Sequence, residues 1–117
     1  THYFVLIYPM GKGMSELTAS SLEKFNRGYF DQLNLKTSHL VLNEEYSITF
    51  VSDLPDKKAA VEYFKTFTEN LPGFRELRNH KFDNFVITKD NFDTFYRTKG
   101  LNEYIRFFEK NYQTKNQ

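Results

Sequence analysis

The residues best placed to do chemistry in this chain are its histidines, its clustered carboxylates and one glycine-lysine-glycine turn. His2, His39 and His80 fall at a strand start, within a strand and in a connector. No two have the i, i+4 or short-loop spacing by which zinc sites gather their ligands. They read as solvated or hydrogen-bonded imidazoles. Glu44 and Glu45 are adjacent in a hairpin turn, while Asp53 and Asp56 flank a helix start. Carboxylates there accept from free backbone N–H groups, so capping accounts for them better than acid–base catalysis. Gly11-Lys12-Gly13 precedes a helix, but a phosphate loop needs G-x-x-x-x-G-K-[ST], and this turn has neither the spacing nor the hydroxyl after its lysine. There is no G-x-S-x-G elbow, and no cysteine to act as a nucleophile or to form a disulfide. The residue types therefore predict no enzyme, no cofactor and no metal.

The elements that would position any site are organised around Glu45 to Leu71. Tyr46, Ile48 and Phe50 alternate with Ser47, Thr49 and Val51, the period of a strand. Turn residues Ser52, Asp53, Pro55 and Asp56 end the run, and from Lys57 the period becomes helical, with Ala60, Phe64, Phe67 and Leu71 on one stripe. Leu71-Pro72-Gly73 stops that helix. Upstream, His2 to Tyr8 is apolar on both parities, which predicts a central strand covered on both faces. Ser15 is an N-cap candidate for a helix carrying Leu22, Phe25 and Tyr29. Lys36 to Leu42 reads as a second strand, joined by Asn43-Glu44-Glu45 into an antiparallel hairpin. Phe74 to His80 reads as a polar connector, with a turn near Leu77, leading to a fourth strand at Phe82 and Phe85-Val86-Ile87.

That order, β-α-β-β-α-β, predicts an α+β, ferredoxin-like (split βαβ) antiparallel sheet. Right-handed crossovers put both helices on one face and the first and third strands in the middle. Two further helices follow. Thr88 can cap the first, with Phe92, Phe95 and Tyr96, and Lys99-Gly100 ends it; the second carries Leu101, Tyr104, Ile105, Phe108 and Tyr112. They carry too many rings to float free and are expected to pack on the core, over the sheet or at its edge. Residues 2–112 form one domain on this reading, and 113–117 a polar tail.

Composition narrows the function classes. The 117 residues include 13 Phe and 8 Tyr but no Trp, so large rings supply the core. Net charge is +1, with 16 basic and 15 acidic side chains, which provides no long-range field to draw in nucleic acid or an anionic membrane. RNA-recognition domains share this topology and stack bases on third-strand rings. Tyr46 and Phe50 alternate suitably for that, but the basic lead residue and glycine of the RNA-binding signature are missing from EEYSITFV. No nucleic-acid partner is expected. No apolar run approaches the roughly 20 residues that span a bilayer. The chain opens Thr1-His2 and enters a strand at once, which reads as a piece of a longer protein whose targeting segment or lipid anchor would lie upstream.

The segments HYFVLIYP, LEKFN, YSITFVSDLPDKKAAVEYFKTF, NFVITKDNFDTFY and YIRFFEKNY together resemble a C-terminal domain of tetratricopeptide-repeat envelope proteins of the Bacteroidetes. That group includes the lipoprotein-type component of gliding motility and type IX secretion. The likeness runs from His2 to Tyr112, and FVIT with the following NF, and the closing FFEKNY, are its most specific parts. The resemblance implies a non-enzymatic module on a larger envelope protein, on the periplasmic side, binding another envelope protein; it implies no particular site residues. The first four strands and two helices also resemble a SPOR domain, which implies peptidoglycan glycan strands as the alternative ligand. The chain departs from SPOR at the glycine-rich turns, the Q-x-G-x-F run and the added helices.

One surface is left as a candidate site. The outer sheet face, predicted as Thr37, His39, Ser47, Thr49 and Val51, offers hydroxyls and an imidazole that could hydrogen-bond a sugar or a peptide. The alternative is that the C-terminal helices cover it.

Overall fold

The apolar run at the start forms strand β1 (His2–Pro9), and residues Phe4 to Tyr8 along it are all buried. In the computed structural model, which describes residues 1–74, 77 and 80–112, this strand is followed by α1 (Met14–Tyr29), β2 (Lys36–Val41), β3 (Tyr46–Leu54), α2 (Lys57–Asn70), β4 (Asp83–Thr88), α3 (Lys89–Thr98) and α4 (Leu101–Asn111). Short 3-10 turns at Asp31–Leu33 and Leu71–Gly73 close α1 and α2. The sheet order is β2-β3-β1-β4 with every neighbour antiparallel. This is the ferredoxin-like arrangement, with β1 and β3 central and two helices added at the end.

The sheet is covered on both faces. Toward α1 and α2, the Phe4 ring lies 4.9 Å from Tyr63 and 5.0 Å from Phe67, and Phe25 meets Tyr63 at 5.1 Å. On the opposite face, Phe92 of α3 sits 5.1 Å from both Tyr3 and Phe50. Helix α4 follows β4: Tyr104 lies 4.8 Å from Phe85, and Phe108 meets Phe64 of α2 at 5.0 Å. The C-terminal helices thus complete the core, because a sheet face as apolar as Val5, Ile48, Phe85 and Ile87 must be removed from water.

Local capping follows the sequence at α2 and α3. Asp56 Oδ1 accepts from the Ala59 N–H at 2.9 Å, and Thr88 Oγ1 accepts from the Asn91 N–H at 3.0 Å. It departs at α1, which begins at Met14 behind Gly13 in the left-handed region (φ 78), with no side-chain cap. Ser15 is therefore inside the helix rather than its cap. The buried face of α1 is Thr18, Ser21, Leu22, Phe25 and Asn26, while Tyr29 is exposed and donates to Asn70 Oδ1. After α3, Lys99 takes the left-handed C-cap position (φ 58) and Gly100 does not.

Strand β3 runs past the expected turn to Leu54. Opposite β1 the register moves from Phe4↔Val51 to His2↔Leu54, which leaves one extra residue on β3. Asp53 sits there at φ 74, the left-handed conformation that bulges use and that Asp tolerates better than most residues. The bulge returns Leu54 to the buried interior. In the connector after α2, Leu77 is buried and held in successive turns by Leu77 N–H to Phe74 O and His80 N–H to Leu77 O. The rest of that expected connector (75, 76, 78 and 79) and the expected polar tail (113–117) lie outside the described residues.

Candidate functional site

The five residues expected on an open sheet face do share a face. Register pairs Thr37 with Val51 and His39 with Thr49, and Ser47 follows on the same parity of β3. The face is the wrong one for a ligand. Thr49 also pairs with Leu6 and Val51 with Phe4, and the Phe4 ring packs on α2. Side chains two apart on a strand, and directly opposite on its neighbour, point the same way. Ser47, Thr49 and Val51 therefore point toward α1 and α2, and their exposures are 5%, 0% and 0%.

A hydroxyl chain makes this burial tolerable. Thr49 Oγ1 lies 2.6 Å from Tyr8 Oη and 2.9 Å from Thr18 Oγ1. Thr18 directs its single hydrogen to the carbonyls of Met14 and Ser15, so it accepts from Thr49, which in turn accepts from Tyr8. Every group in that relay has a partner, the condition under which buried hydroxyls cost little. Thr37 Oγ1 donates to Glu23 Oε2 of α1 at 3.0 Å, and His39 is left exposed at the sheet edge. The expected ligand face is therefore interior packing plus two edge residues. The C-terminal helices cover the other face. The rings that an RNA would need lie on that other face, and Phe50 stacks on Tyr3 at 5.1 Å and packs against Phe92.

Of the remaining candidates for chemistry, His2 and Asp56 have hydrogen-bond partners. His2 Nε2 lies 3.1 Å from Tyr112 Oη, and its burial pulls the imidazole below its ordinary pKa. Asn43 Oδ1 accepts from the Glu45 and Tyr46 N–H groups, which builds the hairpin turn and leaves Glu44 and Glu45 exposed. Among the described residues no group of three or more His, Asp or Glu could hold a metal ion.

No family model, curated protein or solved structure matches this chain.

Two surface features escaped the sequence reading. The first is a cleft of about 570 Å³ between α3 and α4, with Phe95, Tyr104 and Phe107 on its walls and Thr94, Thr98 and Glu103 around them. Phe95 and Tyr104 are buried, but Phe107 is 42% exposed. Burial pushes the Tyr104 phenol well above its ordinary pKa, so it stays a neutral donor. The sequence did carry a signal here: successive helical residues are about 100° apart, so Phe107 and Phe108 cannot both face one core. The second is the difference between the sheet's two edges. Tyr104 Oη donates to the Val86 carbonyl of β4 at 2.6 Å, and α4 packs alongside that strand. On β2, Tyr96 Oη meets only the Val41 carbonyl, at 2.9 Å.

Proposed function

We propose that this domain is a non-catalytic binding and assembly module of a larger cell-envelope protein. Its partner is another protein, anchored by an apolar side chain in the α3–α4 cleft. The observation that carries this reading is the outward ring of Phe107 beside a concave aromatic wall. Anchors of protein interfaces are such pockets, filled by one large apolar group and closed around it by polar neighbours. A small-molecule site would add well-placed buried polar groups. Among the described residues, the buried side-chain atoms left without a partner are His2 Nδ1 and Asn26 Nδ2, and neither residue lines the cleft. The envelope assignment rests on the resemblance from His2 to Tyr112. Glycan binding, the alternative that the SPOR likeness implies, would have to use a surface other than Ser47, Thr49 and Val51, which α1 and α2 occupy.

A photocrosslinking residue placed at Phe107, in cells producing the whole protein, tests the reading. One discrete protein adduct is expected from position 107 and none from Lys24, an exposed site on α1. Crosslinks that are absent, or equal at the two positions, would remove the cleft from consideration. Co-sedimentation with purified sacculi, undiminished by Phe107→Asp, would move the ligand to the glycan class.

A further inference from the structure

The two edges of the sheet are not equivalent, and backbone geometry says which groups each leaves unpaired. In an antiparallel pair the residues alternate between those that exchange hydrogen bonds with the neighbour and those that turn their N–H and C=O away. Leu42 N–H donates to the Tyr46 carbonyl at 3.0 Å. Counting back by twos, Leu40, Ser38 and Lys36 turn their backbone groups to β3, while Thr37, His39 and Val41 turn theirs outward. Tyr96 confirms the phase, because the carbonyl it reaches is that of Val41. Carried across β3 and β1, the same alternation turns Val86 outward on β4, where Tyr104 finds its carbonyl. The β4 edge is covered at Val86 by α4, whereas β2 is packed only by β3 and α1 among the described elements that contact it broadly. Among the described residues, nothing bonds the outward N–H and C=O groups of Thr37 and His39.

We infer that the β2 edge accepts an extended segment of a partner protein as a fifth strand. Four backbone groups in the spacing of a strand are complementary to extended backbone and to little else. Side chains set the partner's chemistry. Lys36–Val41 contains Lys36 and His39 and no carboxylate, and the nearby Glu23 is engaged by Thr37. Val41 is 47% exposed. The fitting segment carries a carboxylate to lie beside Lys36 and a β-branched or aromatic side chain to lie beside Val41. A second copy of β2 supplies no carboxylate for Lys36, so the occupant is a different chain. The inference rests on the reading of this domain as a protein-binding module, but it uses a surface separate from the cleft.

Selection of phage-displayed linear peptides of about nine residues on the purified domain tests it. Recovered peptides should combine a carboxylate with alternating β-branched residues. His39→Pro should weaken their binding at least about tenfold, equivalent to about 1.4 kcal/mol. The His39 N–H makes no bond to β3, so the substitution removes no existing ladder bond. Independently of any variant, methylating alternate backbone nitrogens of a selected peptide should abolish binding, and Lys36→Glu should reduce it. Peptides indifferent to both His39→Pro and backbone methylation would overturn the proposal. So would a concentration-dependent dimer of the domain that His39→Pro dissolves, since the occupant would then be a second copy. Peptides that depend on Phe107 but not on His39 would leave the cleft standing and remove the edge.

Discussion

Replacing Thr49 with arginine or valine tests whether its face of β3 is buried or open to water. On an open face, arginine at this position would be tolerated, since surface substitutions usually change stability by no more than about 0.5 kcal/mol. Thr49 is instead fully buried among Tyr8, Thr18 and Leu6. An unpaired guanidinium there costs several kcal/mol, a large share of the about 5–15 kcal/mol by which domains are stable. Thr49→Arg is therefore expected to lose cooperative unfolding. Valine keeps the shape and removes the relay. Tyr8 then has only Ser15 Oγ, at 3.5 Å, for its phenol hydrogen, and Thr18 loses a donor. Stranding a buried donor costs about 1–3 kcal/mol, reduced because the threonine hydroxyl no longer has to be desolvated, so about 1–2 kcal/mol is expected. At roughly 4 °C per kcal/mol this lowers the melting temperature by about 4–8 °C. Tyr8→Phe in the same chain removes the stranded hydroxyl, so the double variant should fall short of the summed single losses by about 0.5–1 kcal/mol. Thermal and urea unfolding followed by circular dichroism measures all four variants against the parent. A Thr49→Arg variant that melts like the parent would refute the burial of this face.

Three other outcomes follow from the packing. Phe92→Ala removes the ring that joins α3 to Tyr3 and Phe50, with an expected loss of about 3–5 kcal/mol in urea unfolding; a loss under about 1 kcal/mol would mean that α3 does not cover this face. Asp53, at φ 74, should accept glycine with little change, whereas valine should cost about 1–2 kcal/mol; equal melting temperatures for the two variants would argue against the bulge. Burial raises the Tyr63 phenol above its ordinary pKa, so the folded state holds that proton more tightly than the unfolded chain. Its contribution is full below about pH 10 and is lost as pH rises beyond it. Tyr63→Phe, less stable at neutral pH because Asn26 Oδ1 loses its donor, should show a shallower alkaline decline; identical slopes would contradict this.

Legibility differed between elements for physical reasons. The caps at Asp56 and Thr88 could be read because capping is decided within one turn of the chain. Ser15 failed as a cap because Gly13 reached a left-handed conformation that let the helix begin two residues earlier. Tyr29 fell out of its expected stripe because the face of α1 that meets β3 is chosen by Thr18 and Asn26, whose hydrogen bonds go to Thr49 and Tyr63. Those partners are distant in sequence. The cleft was readable only as a surplus ring at Phe107, since its far wall belongs to another helix.

The sequence by itself determined the order of elements, the central position of β1 and the attachment of the two last helices. Each follows from local period, turn chemistry or the quantity of ring surface to be buried. Only the tertiary structure decided which parity of β3 faces α1. Both parities are covered, so polarity along the strand carries no direction. The more hydroxylated side could turn inward because Tyr8 and Thr18 supply the hydrogen bonds that water would otherwise make.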